Sequence, residues 1–175
     1  MAIFSKQKLD SIEAREKLET PRHTVMIVDD KDPNLSVMTA ILRPHYHLLE
    51  ARDGQEALAL IESMEDTSSL ACIVSDHRMP RLNGVDLFER AQPLLPHTLR
   101  IIVSGFIDVD AIVDSINKAE VYRFVVKPFD ADDFLATVNG AVKTFERQRE
   151  RAESYAKLVE ENQALRAKIE QLEKR

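Results

Sequence analysis

The sequence holds one cysteine and four glycines, and it has no apolar run near the length of a membrane span. Each shortage removes a class of protein. The lone thiol, Cys72, cannot form an internal disulfide, which excludes a disulfide scaffold and fits a reducing cytoplasm. A spanning helix needs about 20 consecutive apolar residues. Residues 1–21 are charged throughout and lack a secretory apolar stretch, so no membrane association is expected. Glycine is also missing where a dinucleotide-binding loop would need it. After the first apolar run the chain reads Asp-Asp-Lys-Asp-Pro, which argues against a nucleotide-binding oxidoreductase. A basic excess is missing from the middle of the chain. Residues 24–140 carry 10 Lys/Arg against 19 Asp/Glu, a net of −9, compared with +1 for residues 1–23 and +2 for residues 141–175. Nucleic-acid binders present a basic face, so direct contact with nucleic acid is not expected.

What is present is enough for one real core: 175 residues, 44% of them hydrophobic. Residues 1–22 suggest a mostly polar leader helix stopped near Thr20-Pro21, with Leu9, Ile12 and Leu18 as a broken stripe. From residue 24 short apolar runs alternate with helical periodicity. Strands are predicted over 24–28, 46–51, 71–75, 99–103 and 122–126. Helices are predicted over 33–43, 53–64, 85–91 and 108–120, with a fifth opening at Asp130. Asp32 is the expected N-cap of the first helix, with Pro33 in its first turn. Strand–helix alternation of this kind indicates a parallel sheet covered on both faces. The expected fold is α/β: a flavodoxin-like (βα)5 doubly wound sheet of order 2-1-3-4-5, with strands one and three meeting at the switch point.

The carboxyl ends of those strands carry the chemistry. Strand one ends in Asp29-Asp30, strand three in Asp76, strand four in Ser104 and strand five in Lys127. Each alone reads as an ordinary turn or cap. Together they make one crevice with three carboxylates, a hydroxyl and an ammonium. Three carboxylates in one place repel, and either protonation or a hard cation relieves them. Mg²⁺ suits a shallow site of this kind, since it takes a few carboxylate oxygens and keeps several waters. The set fits a phosphoryl group held on Asp76 as nucleophile, with Lys127 and the metal neutralising its oxygens and Ser104 donating to one of them.

These residues resemble a known family. Val28-Asp29-Asp30, Asp76 within Ser-Asp-His-Arg-Met-Pro, Gly84, Ser104-Gly105 and Phe124-Val125-Val126-Lys127-Pro128-Phe129 are similar to the receiver domain of two-component response regulators, over residues 24–140. The resemblance implies that a histidine kinase donates phosphate to Asp76. It implies that Asp30 binds Mg²⁺ directly and Asp29 through water, that the backbone carbonyl of Arg78 is a further ligand, and that Lys127–Pro128 is cis. It also implies that Ser104 and Phe124 form the switch pair. Ser104 stands where threonine is commoner, and His77 follows the acceptor. Val121-Tyr122-Arg123-Phe124 is bulkier than the usual lead-in and is similar to receivers attached to signalling enzymes or to hydrogenase-type regulators.

Residues 141–175 contain neither glycine nor proline, so helix five is expected to run on. Tyr155, Leu158, Asn162, Leu165, Ile169 and Leu172 are spaced 3, 4, 3, 4, 3. With Tyr, Asn and Ile at a and Leu at d, the pattern predicts a parallel two-stranded coiled coil. Glu161 would face Arg166 of a second copy, and Lys168 would face Glu173. The earlier seam of Leu135, Val138, Val142 and Phe145 is out of phase with this stripe, which places an adjustable joint at residues 148–154. The expected organisation is a leader at 1–22, a receiver at 23–145 and a dimerising helix at 146–175. The last heptad has no helix stop, so an output domain beyond residue 175 is expected. The competing readings are the regulatory part of a nucleotide cyclase, diguanylate cyclase or phosphatase, and a scaffold receiver that works without phosphate.

Overall fold

The computed structural model describes residues 23–105 and 120–173. Five strands, β1 (Thr24–Val28), β2 (His47–Ala51), β3 (Leu70–Asp76), β4 (Leu99–Ser104) and β5 (Arg123–Val126), form one sheet in the order β2-β1-β3-β4-β5. All four pairings are parallel. Four described helices connect and cover them: α1 (Asp32–Leu42), α2 (Gly54–Ser63), α3 (Gly84–Ala91) and α4 (Ala131–Glu173). The expected flavodoxin-like topology is the observed one. The leader at 1–22 and the helix predicted over 108–120 lie outside the described residues, apart from Glu120. That residue is not helical and has φ 46°.

Side chains alternate across each strand, and the two faces build two cores. Val25 and Ile27 of β1, Cys72 and Val74 of β3, and Ile101 and Val103 of β4 point to one face. There they meet Leu35 and Met38 of α1 and Phe134 and Val138 of α4. Met26, Val28, Ile73 and Ile102 point to the other, against Ala57 and Ile61 of α2 and Leu87 and Phe88 of α3. Phe88 and Phe134 are fully buried, each worth about 2 to 3 kcal/mol of transfer free energy. Burial also pushes the Cys72 thiol pKa well up, so it serves as a core side chain.

The start of α1 differs from expectation. Lys31, not Asp32, is the N-cap, and it makes no side-chain cap. The cause is Asp29, whose Oδ1 accepts the Lys31 N–H at 3.0 Å and turns the chain one residue earlier. Asp32 instead pairs with Arg52 at 3.1 Å. α2 and α4 begin as helices usually do. Asp53 caps Gln55 and Glu56, and Asp130 Oδ1 accepts from the N–H groups of Asp132 and Asp133.

α4 is unbroken for 43 residues, about 65 Å at 1.5 Å per residue. Its first part is held in the core by Phe134, Val138, Ala141, Val142 and Phe145. At its exit His23 Nε2 lies 2.9 Å from Glu146 Oε1, and Arg149 donates to the Ser68 carbonyl at 3.3 Å. Every side chain from Arg147 to Arg166 is exposed. Among them Tyr155 is 71% exposed, Leu158 57% and Leu165 58%, with Ile169 beyond at 55%. At 100° per residue this stripe lies roughly 150° around the helix from the seam of Val138, Val142 and Phe145. The stripe therefore does not continue the contact with the sheet. Across residues 148–154 the helix is continuous, and its apolar residues change face.

Candidate functional site

Strand register assembles the site. Val28 pairs with Ser75, so Asp29 and Asp76 emerge side by side at the carboxyl edge of the sheet. Asp76 pairs with Val103, which puts Ser104 one step beyond on the neighbouring strand. Ser104 pairs with Val126, so Lys127 leaves β5 at the same edge, and its N–H donates to the Ser104 carbonyl at 2.8 Å. The Lys127 stem then crosses the end of β4. Its ammonium donates to Asp76 Oδ1 at 2.5 Å and to Asp29 Oδ2 at 2.6 Å.

Asp29 is fully buried, and the Asp76 side chain is 13% exposed. Asn34, in the first turn of α1, donates through Nδ2 to both Asp29 oxygens, at 2.8 and 3.0 Å. With the Lys31 N–H and Lys127, this engages both Asp29 oxygens within the protein. Asp76 Oδ2 accepts the Arg78 N–H at 2.9 Å. Lys127 feels two opposed effects. Burial disfavours its charge, but the hydrogen bonds to Asp29 and Asp76 outweigh this and raise its pKa above the ordinary lysine value. The Lys127–Pro128 peptide is cis.

Of the expected site residues, Asp29, Asp76 and Lys127 are in direct contact, and the Arg78 backbone joins them. Ser104 stands at the end of β4, and Phe124 on β5 is partly buried against the α2/α3 core. Asp30 is exposed. The two carboxylates seen in contact, Asp29 and Asp76, are bridged by the Lys127 ammonium. Among the described residues no three His, Cys, Asp or Glu side chains are grouped closely enough to hold a metal. The donors nevertheless suit Mg²⁺. They are all hard oxygens, and at formal charge Asp29, Asp30 and Asp76 less Lys127 leave two negative charges. The Asn34 clamp was not foreseen. Its only signal is a polar residue in the first turn of the helix that follows Asp29.

Gly84 lets α3 start directly against the acceptor. A Cβ there would stand 2.3 Å from the Asp76 carbonyl and 2.9 Å from Ser75 Oγ. The nearer atom is backbone and cannot swing aside. Gly84→Ala is expected to cost about 2 to 3 kcal/mol by overpacking and to displace Asp76, as checked by denaturant melts.

A parallel five-stranded sheet with this constellation at its switch point is the architecture of a receiver. The chain belongs to the response regulator receiver domain family, which matches residues 25–139. It is thereby a component of two-component signalling. Relatives agree. The chain is 30% identical over 127 residues to the hydrogenase transcriptional regulatory protein HoxA of Bradyrhizobium diazoefficiens, covering 73% of this chain and 25% of that protein. It is 27% identical over 160 residues to the response regulator protein TmoT of Ectopseudomonas mendocina, covering 90% and 70%. The crystal structure of the signal receiver domain of an HD domain-containing protein from Pseudomonas fluorescens Pf-5 superposes with a TM-score of 0.67 at 30% identity, covering 72% and 98%. The chain spans about a quarter of the length of the hydrogenase regulators it matches. Among the described residues no helix is long and apolar enough to cross a membrane.

Proposed function

We propose that the chain accepts a phosphoryl group on Asp76 from a histidine kinase, in a Mg²⁺-dependent reaction in the cytoplasm. The observation that carries this reading is the Lys127 ammonium shared between Asp76 and Asp29 at the switch point. An Asp76 oxygen attacks phosphorus, the bond from phosphorus to the donor imidazole breaks, and the imidazole leaves with the electron pair. Arg78 N–H fixes Oδ2 of Asp76, and Oδ1, which holds the Lys127 ammonium, gives up that contact to attack. Asp30, Asp76 and the Arg78 carbonyl would hold Mg²⁺, with Asp29, whose oxygens are already engaged, acting through water. The ion's contribution is to neutralise charge on the transferring oxygens.

Phosphorylation then has a mechanical consequence. The new oxygens compete for Lys127, which must loosen its hold on a carboxylate. Ser104 donates to the phosphoryl group, and Phe124 follows inward. The state leaves through α4, which pairs with a second copy as a parallel coiled coil along Tyr155, Leu158, Asn162, Leu165, Ile169 and Leu172. The receiver itself, residues 23–145, is a switch rather than a turnover enzyme. The hydrogenase regulators are about four times as long as the stretch that this chain matches, and an output unit outside the receiver is part of the proposal. Fluorine NMR with Mg²⁺ and beryllofluoride tests the site. The chain forms the adduct, and both Asp76→Asn and removal of Mg²⁺ abolish it. An adduct that survives Asp76→Asn would overturn the assignment.

A further inference from the structure

We propose that Arg81 and Asp53 form a tie that positions the acceptor loop and thereby sets the affinity of the Asp30–Asp76–Arg78 site for Mg²⁺; this rests on the function proposed above. The loop after β3 supplies both the N–H that holds Asp76 and the carbonyl assigned to the metal. Its ends are fixed by backbone bonds, from His77 N to the Val103 carbonyl at 3.0 Å and from Gly84 N to the His77 carbonyl at 3.2 Å. Its apex is Arg81, which has φ 67°. That left-handed conformation is unfavourable for an arginine, while glycine or asparagine adopts it readily. A side chain that brings this cost is explained by what it reaches.

It reaches Asp53. This carboxylate is fully buried. Oδ1 caps α2, accepting from Gln55 N at 2.7 Å and Glu56 N at 2.9 Å. Oδ2 makes no hydrogen bond and faces the Arg81 guanidinium in an ion pair. Arg81 reaches this buried carboxylate from the surface, its own side chain 60% exposed, so removing the arginine leaves a buried charge without its cation. The next residue in each element shows how closely the two approach. A Cβ on Gly54 would stand 2.6 Å from the Leu82 carbonyl. Arg81 therefore fastens the loop apex to the first turn of α2, three residues from the Arg78 carbonyl. Mg²⁺ demands near-ideal geometry, so a loosened apex registers in its affinity before it registers in the fold.

Three variants test the tie: Arg81→Asn, Asp53→Asn and the pair together. Asparagine suits φ 67° at position 81 and still caps α2 at position 53, so each change severs the tie while keeping the local backbone. The double change leaves no buried unpaired charge, and it carries the test if a single variant fails to fold. Mg²⁺ affinity is measured by calorimetry and melting is followed separately in chelator. Each variant is expected to bind Mg²⁺ about tenfold more weakly, as when a partner orienting a ligand is lost. The double variant should be no weaker than the worse single. Unchanged affinity in folded variants would overturn the tie alone, as would losses that multiply. A wild-type chain that takes no Mg²⁺ would overturn both the tie and the functional reading.

Discussion

Lys127→Ala lowers the rate of phosphoryl acceptance by about 10²- to 10³-fold, the usual loss when one preorganised charge at a transferring group is removed. It also destabilises the fold. Lys127 bridges a fully buried carboxylate and a nearly buried one, and its removal leaves both without their cation. Breaking such a pair costs about 3 kcal/mol; the bonds from Asn34 and Lys31 to Asp29 keep it from being larger. Because the pKa of Lys127 is raised on folding, its stabilising contribution is whole below the ordinary lysine value. It is lost only as pH rises through the raised one. Kinetics at neutral pH therefore see the ammonium alone. Mg²⁺ should restore stability to the variant more than to wild type, since the ion takes over as counter-charge. Denaturant melts with and without Mg²⁺ check this. Equal stabilisation of both proteins would mean that the ion and the ammonium do not share these carboxylates.

Leu158→Lys with Leu165→Lys is expected to convert the proposed coiled-coil dimer into a monomer. Both leucines are more than half exposed in the single chain, on a helix whose surroundings there are solvent. At about 2 kcal/mol per leucine, the four side chains lost from two copies amount to about 8 kcal/mol, between five and six powers of ten in Kd. Placing like charges at the same seam adds to the loss. Sedimentation velocity reads the result directly. The receiver should still form the beryllofluoride adduct, because the stripe begins beyond the last residue packed on the sheet, Phe145. A wild-type chain that sediments as a monomer at high concentration would remove the coiled coil from the account.

The sheet was legible because its strands are short apolar runs with turn residues at each end, and because parallel order leaves few topologies. Asp29, Asp76 and Lys127 were legible for the same reason: Asp29 and Lys127 directly follow the last apolar residue of a strand, and Asp76 follows it after a single serine. The heptad from Tyr155 was visible as spacing alone. What stayed hidden were contacts between elements distant in sequence. His23 and Glu146 are 123 residues apart, and no local pattern announces their contact. Asn34 reads as a helix residue until the turn before it is known to bend back onto Asp29. Asp32 was misplaced as a cap because a competing carboxylate, Asp29, had taken the neighbouring N–H. Nothing in the local sequence sets Arg81 apart from any other loop arginine. Only its backbone conformation and the buried Asp53 opposite give it a purpose.

The proposed function stands or falls with Asp76 as the acceptor. The most direct measurement treats the intact chain with acetyl phosphate and Mg²⁺, traps the acyl phosphate with borohydride, and maps the reduced residue by peptide mass spectrometry. The account predicts reduction at Asp76 alone, lost when Mg²⁺ is chelated. Reduction at another carboxylate, or none in a chain that binds Mg²⁺, would contradict it.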